Sequence, residues 1–219
     1  MSFEIIKNYF PLFVKAFVLT VKIGWIGIAF SFVIGIISAF ILYFKVPFFS
    51  FLIKCYVELF RNTPLLVQLF FIYYGLPALG IKISAEFCGA LGLALLGGSY
   101  MTESLRSGLE AVSNSQKESA FALGMTKAQL FLSIILPQAI SISVPALVAN
   151  IIFLLKETSV FSAISLMDLM FTAKDLIGLY YNTTESLFLL VIFYVAMLLP
   201  VSILGSIVEK KARFKIFGN

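Results

Sequence analysis

Between Ile23 and Phe44 the chain carries no charged residue, and Ser31 and Ser38 are the only hydroxyls among its Ile, Phe, Val and Gly apart from Tyr43. A hydrocarbon core about 30 Å thick takes about 20 such residues as a helix, so this stretch is long enough to cross with some tilt. The rest of the chain is of the same kind. Hydrophobic residues fill 61% of its 219 positions and charged ones 12%, with mean hydropathy +1.04. That leaves too little polar surface to wrap a water-soluble core. The apolar runs are continuous rather than alternating, which favours helices over a barrel, because each span must satisfy its own backbone in lipid. The expected fold class is all-α: a polytopic membrane helical bundle of about five transmembrane helices, forming one domain over residues 1–219.

Residues 1–15 mix Glu4, Lys7 and Lys15 with Ile5, Ile6, Tyr9, Phe10 and Phe13 around Pro11, and read as a short interfacial helix ahead of span one. Span two is expected from Phe48 to Tyr74. Within it Pro64 lacks a backbone donor and disfavours helix at Thr63, so a kink or brief unwinding is expected between Leu59 and Leu65. Span three, near Ala85 to Leu105, holds Gly89, Gly92, Gly97 and Gly98, which let helices approach closely. Span four is expected from about Ile140 to Leu155 and span five from Ser186 to Ile207, with a short surface helix between Lys156 and Glu185.

Five spans put the termini on opposite sides, and residues 209–219 form a basic tail expected in the cytoplasm. Nine basic residues then lie inside (Lys45, Lys54, Arg106, Lys117, Lys127, Lys210, Lys211, Arg213, Lys215) against six outside (Lys7, Lys15, Lys22, Lys82, Lys156, Lys174). The bias has the right sign but is modest, and Lys7, Lys15 and Lys22 argue against an external N-terminus. The net charge of +5 sits at the margins of apolar segments, which speaks for loop orientation and against a nucleic-acid surface. There is no histidine, and Cys55 and Cys88 lie in apolar stretches without metal-ligand spacing, so no metal site and no catalytic residue is nominated.

The longest strongly polar segment is residues 110–138. Ser115-Gln116-Lys117-Glu118 fits a capping box that would start a helix of about two turns, ended by Gly124 in a left-handed conformation. Thr126-Lys127-Ala128-Gln129 repeats the capping pattern, with Met125 and Leu130 placed as a hydrophobic staple, so a second helix leaves toward Pro137 at a new angle. Local chemistry alone leaves open whether this is a shaped knob or an ordinary capped loop.

Glu118, Ser119, Ala120, Gly124, Ile134, Leu136 and Pro137, at their spacing over twenty residues, resemble the EAA loop of ABC importer permeases. Three more segments resemble the polar amino-acid branch of that family, the histidine, glutamine, arginine and glutamate type permeases. They are Glu58-Leu-Phe-Arg61-Asn-Thr-Pro64-Leu-Leu-Val-Gln68, Tyr100 to Glu118, and Leu155-Lys-Glu-Thr-Ser159. Ser119 stands for the usual alanine, Ser115 for a usual glycine and Glu157 for a usual aspartate, all mild changes.

The resemblance implies a type I importer permease with a cytoplasmic coupling helix, multi-pass in the bacterial cytoplasmic membrane. Glu118, Ser119, Ala120, Ala122, Gly124, Leu136 and Pro137 would then couple it to an ATPase subunit dimer. No Gly-x4-Gly-Lys-Ser/Thr loop occurs in the chain, so no cofactor is assigned to it, and ATP and magnesium belong to that separate ATPase. A second permease subunit, identical or related, and an extracytoplasmic amino-acid-binding protein complete the implied partners, with membrane lipid and no nucleic acid. The implied function is ATP-driven import of a polar amino acid by alternating access, with a lean toward glutamine, glutamate or aspartate.

Polar groups inside spans are costly, and each is a candidate for the substrate pathway with a structural rival. The candidates are Arg61, Thr63, Pro64, Gln68, Tyr100, Glu103, Asn150 and Glu157. Gln68 either binds substrate or glues helices, Glu103 and Arg106 either meet substrate or pair with each other, and Arg61 either gates or fixes the kink through backbone carbonyls. An ATP-independent secondary transporter or channel would use the same residues, and a scaffold would leave Arg61, Gln68 and Glu103 unexplained.

Overall fold

The structure, a computed structural model, describes the backbone of residues 2–217 and side chains through residue 212. Of the basic tail expected over 209–219, the side chains of Arg213 and Lys215 and the last two residues lie outside the described part. Every regular element among the described residues is helical. Three helical stretches, Phe3–Tyr43, Lys127–Ile164 and Thr183–Ala212, are long and apolar enough to cross a membrane. Two less apolar passes lie between the first and second of these, giving five.

Helix α1 (Phe3–Tyr43) is the first pass. At 1.5 Å per residue its 41 residues extend about 60 Å, twice the hydrocarbon thickness. The separate interfacial helix expected over residues 1–15 is absent, because residues 3–15 continue without a break into α1. Pro11 is tolerated there: its missing donor leaves only the carbonyl of Lys7 unpaired, at an exposed position near the helix end.

The second pass is broken, as Pro64 demands: α2 (Phe49–Arg61), then α3 (Leu65–Phe70), a π turn over Phe71–Gly75, and a short α4 (Leu76–Ala78). The third is α5 (Ala85–Glu110), capped by Ser84, whose hydroxyl accepts from the Phe87 amide at 3.2 Å. Its glycines set the packing. A Cβ on Gly97 would come within 2.2 Å of Ser31 Oγ, and one on Gly98 within 2.6 Å of Tyr56 Oη, so α1 and α2 close on α5 only because these positions are bare.

The segment before the fourth pass holds α6 (Asn114–Ala122) and α7 (Lys127–Leu130). α7 runs through a second π turn, Phe131–Ile135, into α8 (Leu136–Glu157), so the helix after Gly124 is continuous with span four instead of ending at Pro137. Both π turns are followed directly by Leu-Pro, at Leu76-Pro77 and Leu136-Pro137. The leucine amide bonds five residues back, to Phe71 and Phe131 respectively, which shifts the ladder by one residue just before a proline that has no donor to offer.

A 3₁₀ segment, Thr158–Ile164, leads to α9 (Leu169–Tyr180) and then α10 (Thr183–Phe217), the fifth pass. The short helix expected between spans four and five is α9, but it is wedged and not superficial. Leu169, Ala173 and Leu176 are buried with Phe13 and Ala16 of α1 and Leu189 and Phe193 of α10. The Ser2 amide donates to Glu185 at 2.8 Å and Asn182 donates to the Tyr9 hydroxyl at 2.7 Å, tying the start of α1 to the start of α10. Tyr43, at the other end of α1, packs with Phe131 beside α6 and α7. The N-terminus therefore lies at the end of the bundle opposite the 110–138 segment, whatever the charges on Lys7, Lys15 and Lys22 suggest.

Candidate functional site: a two-helix knob and a charged cleft

Ser113, not Ser115, caps α6, with its hydroxyl accepting from the Gln116 amide at 3.4 Å. The helix starts two residues earlier than expected, and Ala120 faces inward, 2% exposed among Leu109, Val112, Leu130, Ile135 and Ala139. The helix ends as expected. Gly124 has φ +78°, its amide donates to Phe121 O at 2.9 Å and the Met125 amide donates to Ala120 O at 3.1 Å, the double closure that a left-handed residue permits. Thr126 and Gln129 complete a reciprocal capping box for α7, and Met125 and Leu130 join the same apolar cluster.

The result is a two-helix knob pinned to the bundle by Ala120 and presenting Glu118, Ser119, Ala122 and Gly124 outward. Phe121 and Leu123 stand out beside them at 47% and 83% exposure. Neither was singled out from sequence, although their position either side of Ala122 on a short helix was the available signal. Leu136 is half-buried and Pro137 exposed at the base.

The polar residues of the second pass divide their work. α2 ends at Arg61, so the carbonyls of Leu59 and Phe60 lose regular partners, while Glu58 O still accepts from the Asn62 amide at 3.3 Å. The Asn62 side chain donates to Glu58 O at 2.7 Å, Thr63 Oγ1 donates to Leu59 O at 2.8 Å, and Gln68 Nε2 donates to Phe60 O at 3.0 Å. Gln68 also donates to the Thr63 carbonyl, and is 7% exposed. The break is thus held by Gln68 and not by Arg61. Arg61 lies over the Tyr100 ring, 5.3 Å from its centroid, a cation–π contact across to α5.

Lys54, Glu58 and Arg61 on α2 and Glu103, Arg106 and Glu110 on α5 each recur on one helix face, and together with Lys45 they line a cleft of about 550 Å³. Arg106 Nη1 donates to Glu110 at 2.8 Å, and its Nη2 and Nε both bond Glu103. Arg106 is therefore fully engaged, while Lys45 and Lys54 make no ion pair among the described residues. Asn150 points elsewhere: its Nδ2 donates to Ser104 Oγ at 2.9 Å, and Ser143 below it donates to Ser104 O at 3.0 Å, clamping α8 to α5. Glu157 is half-buried at the far end of α8. Arg61, Tyr100 and Glu103 come together; Thr63 and Gln68 line a separate small apolar cavity, and Asn150 and Glu157 stand apart from both.

Residues 31–214 match the family described as binding-protein-dependent transport system inner membrane component. The chain belongs to this family. The permease is 33% identical to a putative glutamine transport system permease protein of Rickettsia felis, covering 95% of this chain and 98% of that one. It is 30% identical to an arginine transport system permease protein of Bacillus subtilis, over 93% of each. Among solved structures, it superposes on a crystal structure of an amino acid ABC transporter with histidines at TM-score 0.90 and 33% identity, covering 96% of this permease and 99% of that chain. The architecture is that of an importer permease subunit set in a membrane, and ATP hydrolysis in this family belongs to a separate subunit.

Proposed function

We propose that the chain is the permease subunit of an ATP-driven importer that moves a polar amino acid into the bacterial cytoplasm. The substrate is drawn from the glutamine, glutamate and aspartate group. It is delivered by an extracytoplasmic binding protein and passes between two permease subunits, identical or related. ATP and magnesium reside on a dimer of ATPase subunits that grips the knob.

One observation carries this reading: the α6–α7 knob, bent at Gly124, exposes Phe121 and Leu123 while Ala120 anchors it in the core. Exposed apolar side chains on a polar, membrane-external helix point to a protein groove that covers them. ATP binding to the ATPase dimer supplies the differential free energy between inward- and outward-open states, since a ligand shifts an equilibrium only by favouring one side. The knob passes that motion to span four directly, because α7 and α8 are one continuous helix through the π turn. Arg61 and Glu103 line the cleft with charges of opposite sign, and Arg61 lies over the Tyr100 ring beside it, a route suited to a zwitterion.

The test is co-purification. Gly124→Arg places a bulky side chain at φ +78° on the knob and Glu118→Arg reverses its charge; each should abolish recovery of the ATPase with the permease while the permease remains folded and membrane-inserted. Normal recovery with both variants contradicts the proposal.

A further inference from the structure

A groove of about 620 Å³ runs between α8 and α10 toward the end of the bundle opposite the knob, away from the charged cleft. Most of its wall is apolar: Ile152 on α8, Val195 and Leu199 on α10, and their neighbours along the two helices. Three of its four polar members, Lys156, Ser159 and Tyr194, gather near the end of α8, and Ser202 lies at the opposite end. Lys156 is exposed and makes no ion pair among the described residues, the Ser159 hydroxyl makes no hydrogen bond among them, and the Tyr194 hydroxyl is buried toward Thr158. Lys156 and Ser159 can donate into it, and among the described residues no carboxylate lines the groove.

The register of α8 says which way this groove looks. Ser143, Asn150 and Glu157 recur every seven residues on one face, and the first two bond Ser104 on α5. Ile152 and Lys156 fall on the opposite face, and Ser159 follows in the 3₁₀ segment beyond the end of α8. The groove therefore opens away from the polar route, on the side where exposed Val191, Val195 and Leu199 suit hydrocarbon. Along α10 it extends from Leu190 to Ser202, about 18 Å at 1.5 Å per residue, close to the depth of one leaflet's hydrocarbon.

We infer that this groove is a binding site for an anionic phospholipid of the outer leaflet, with one acyl chain between α8 and α10 and the phosphate held by Lys156 and Ser159. A cation at the bilayer boundary, with a hydroxyl beside it and an apolar channel below it, complements both ends of such a molecule. The groove lies outside the cleft and the knob, but its assignment to the outer leaflet rests on the orientation proposed above, with the knob in the cytoplasm.

Native mass spectrometry of the intact permease–ATPase complex, extracted from membranes of phosphatidylethanolamine and phosphatidylglycerol, reads the occupancy. Wild type should retain phosphatidylglycerol through delipidation. Lys156→Gln should lower that retention about fivefold, the equivalent of about 1 kcal/mol for one juxtamembrane cation, and Lys156→Glu further. Val195→Trp, which fills the groove, should abolish it while the ATPase still co-purifies. Equal retention in Lys156→Glu and wild type overturns the inference. So does a disulfide between permease subunits through Val195→Cys, which would mean that a second copy, and not lipid, covers the groove.

Discussion

Gln68 Nε2 donates to the Phe60 carbonyl at 3.0 Å, the acceptor that residue 64 would serve if it were not proline. A side chain four residues further along thus supplies the hydrogen bond that Pro64 removes, from a site closed to water. This replacement completes the set begun by the Asn62 and Thr63 side chains at Glu58 O and Leu59 O, and Arg61 faces the cleft instead.

Replacing Gln68 with Leu should therefore destabilise the permease by about 1–3 kcal/mol, the cost of leaving buried carbonyls unpaired. Arg61→Ala should leave thermal stability nearly unchanged while reducing transport by the reconstituted complex. Thermal unfolding in detergent alongside uptake assays separates the two. Equal destabilisation by both substitutions would contradict the division of roles.

Ala120 and Ala122 sit two residues apart on α6, yet one is buried and the other exposed. Ala120→Trp should overpack the cluster of Leu109, Leu130 and Ala139 and destabilise the knob by about 1–3 kcal/mol. Ala122→Trp should leave folding intact and weaken only the hold on the ATPase. Hydrogen exchange over residues 110–138 reports the first effect, and ATPase recovery the second.

Asp168 caps α9 between the fourth and fifth spans, where its Oδ1 accepts from the Phe171 amide at 2.8 Å and its Oδ2 is buried without a partner. Burial pushes its carboxyl up to about 7, partly offset by the backbone donors at the helix start and by Lys174. A raised folded-state value means that the folded protein holds its proton where the unfolded chain has lost it. The stabilisation is complete below pH 3.8 and is lost as pH rises through about 7. At roughly 1.4 kcal/mol per unit, the loss is on the order of 4 kcal/mol. Melting temperature should fall across that window, and Asp168→Asn, which keeps the cap, should flatten the profile. An unchanged profile in the variant would assign the pH dependence elsewhere.

Much of this was legible because its causes are local. Pro64 removes a donor wherever it stands, Gly124 is the residue that takes a left-handed turn without strain, and Thr126 to Gln129 carries its capping partners within four positions. Ser113 and Ser115 offered overlapping helix starts, since Gln116 and Glu118 lie three residues beyond each. Only the burial of Val112 and Ala120 against α5 and α8 decides between them. The exchange of roles between Gln68 and Arg61 was hidden for the same reason: both are polar residues in an apolar run, and which one points into the break depends on where α5 places Tyr100. The π turns leave no mark beyond a Leu-Pro pair. Continuity of residues 3–15 with α1 rests on packing against α9 and α10, which no local signal announces.

The α6–α7 knob is expected to face the cytoplasm and to be gripped there by a separate ATPase. Leu123→Cys in a Cys55→Ser background, probed with a membrane-impermeant maleimide, tests it most directly, because Leu123 is 83% exposed and Cys88 is buried. Labelling should occur in inside-out vesicles, be absent in right-side-out ones, and be blocked when the ATPase is bound. Labelling from the outside, or labelling that the ATPase leaves unaffected, would contradict the account.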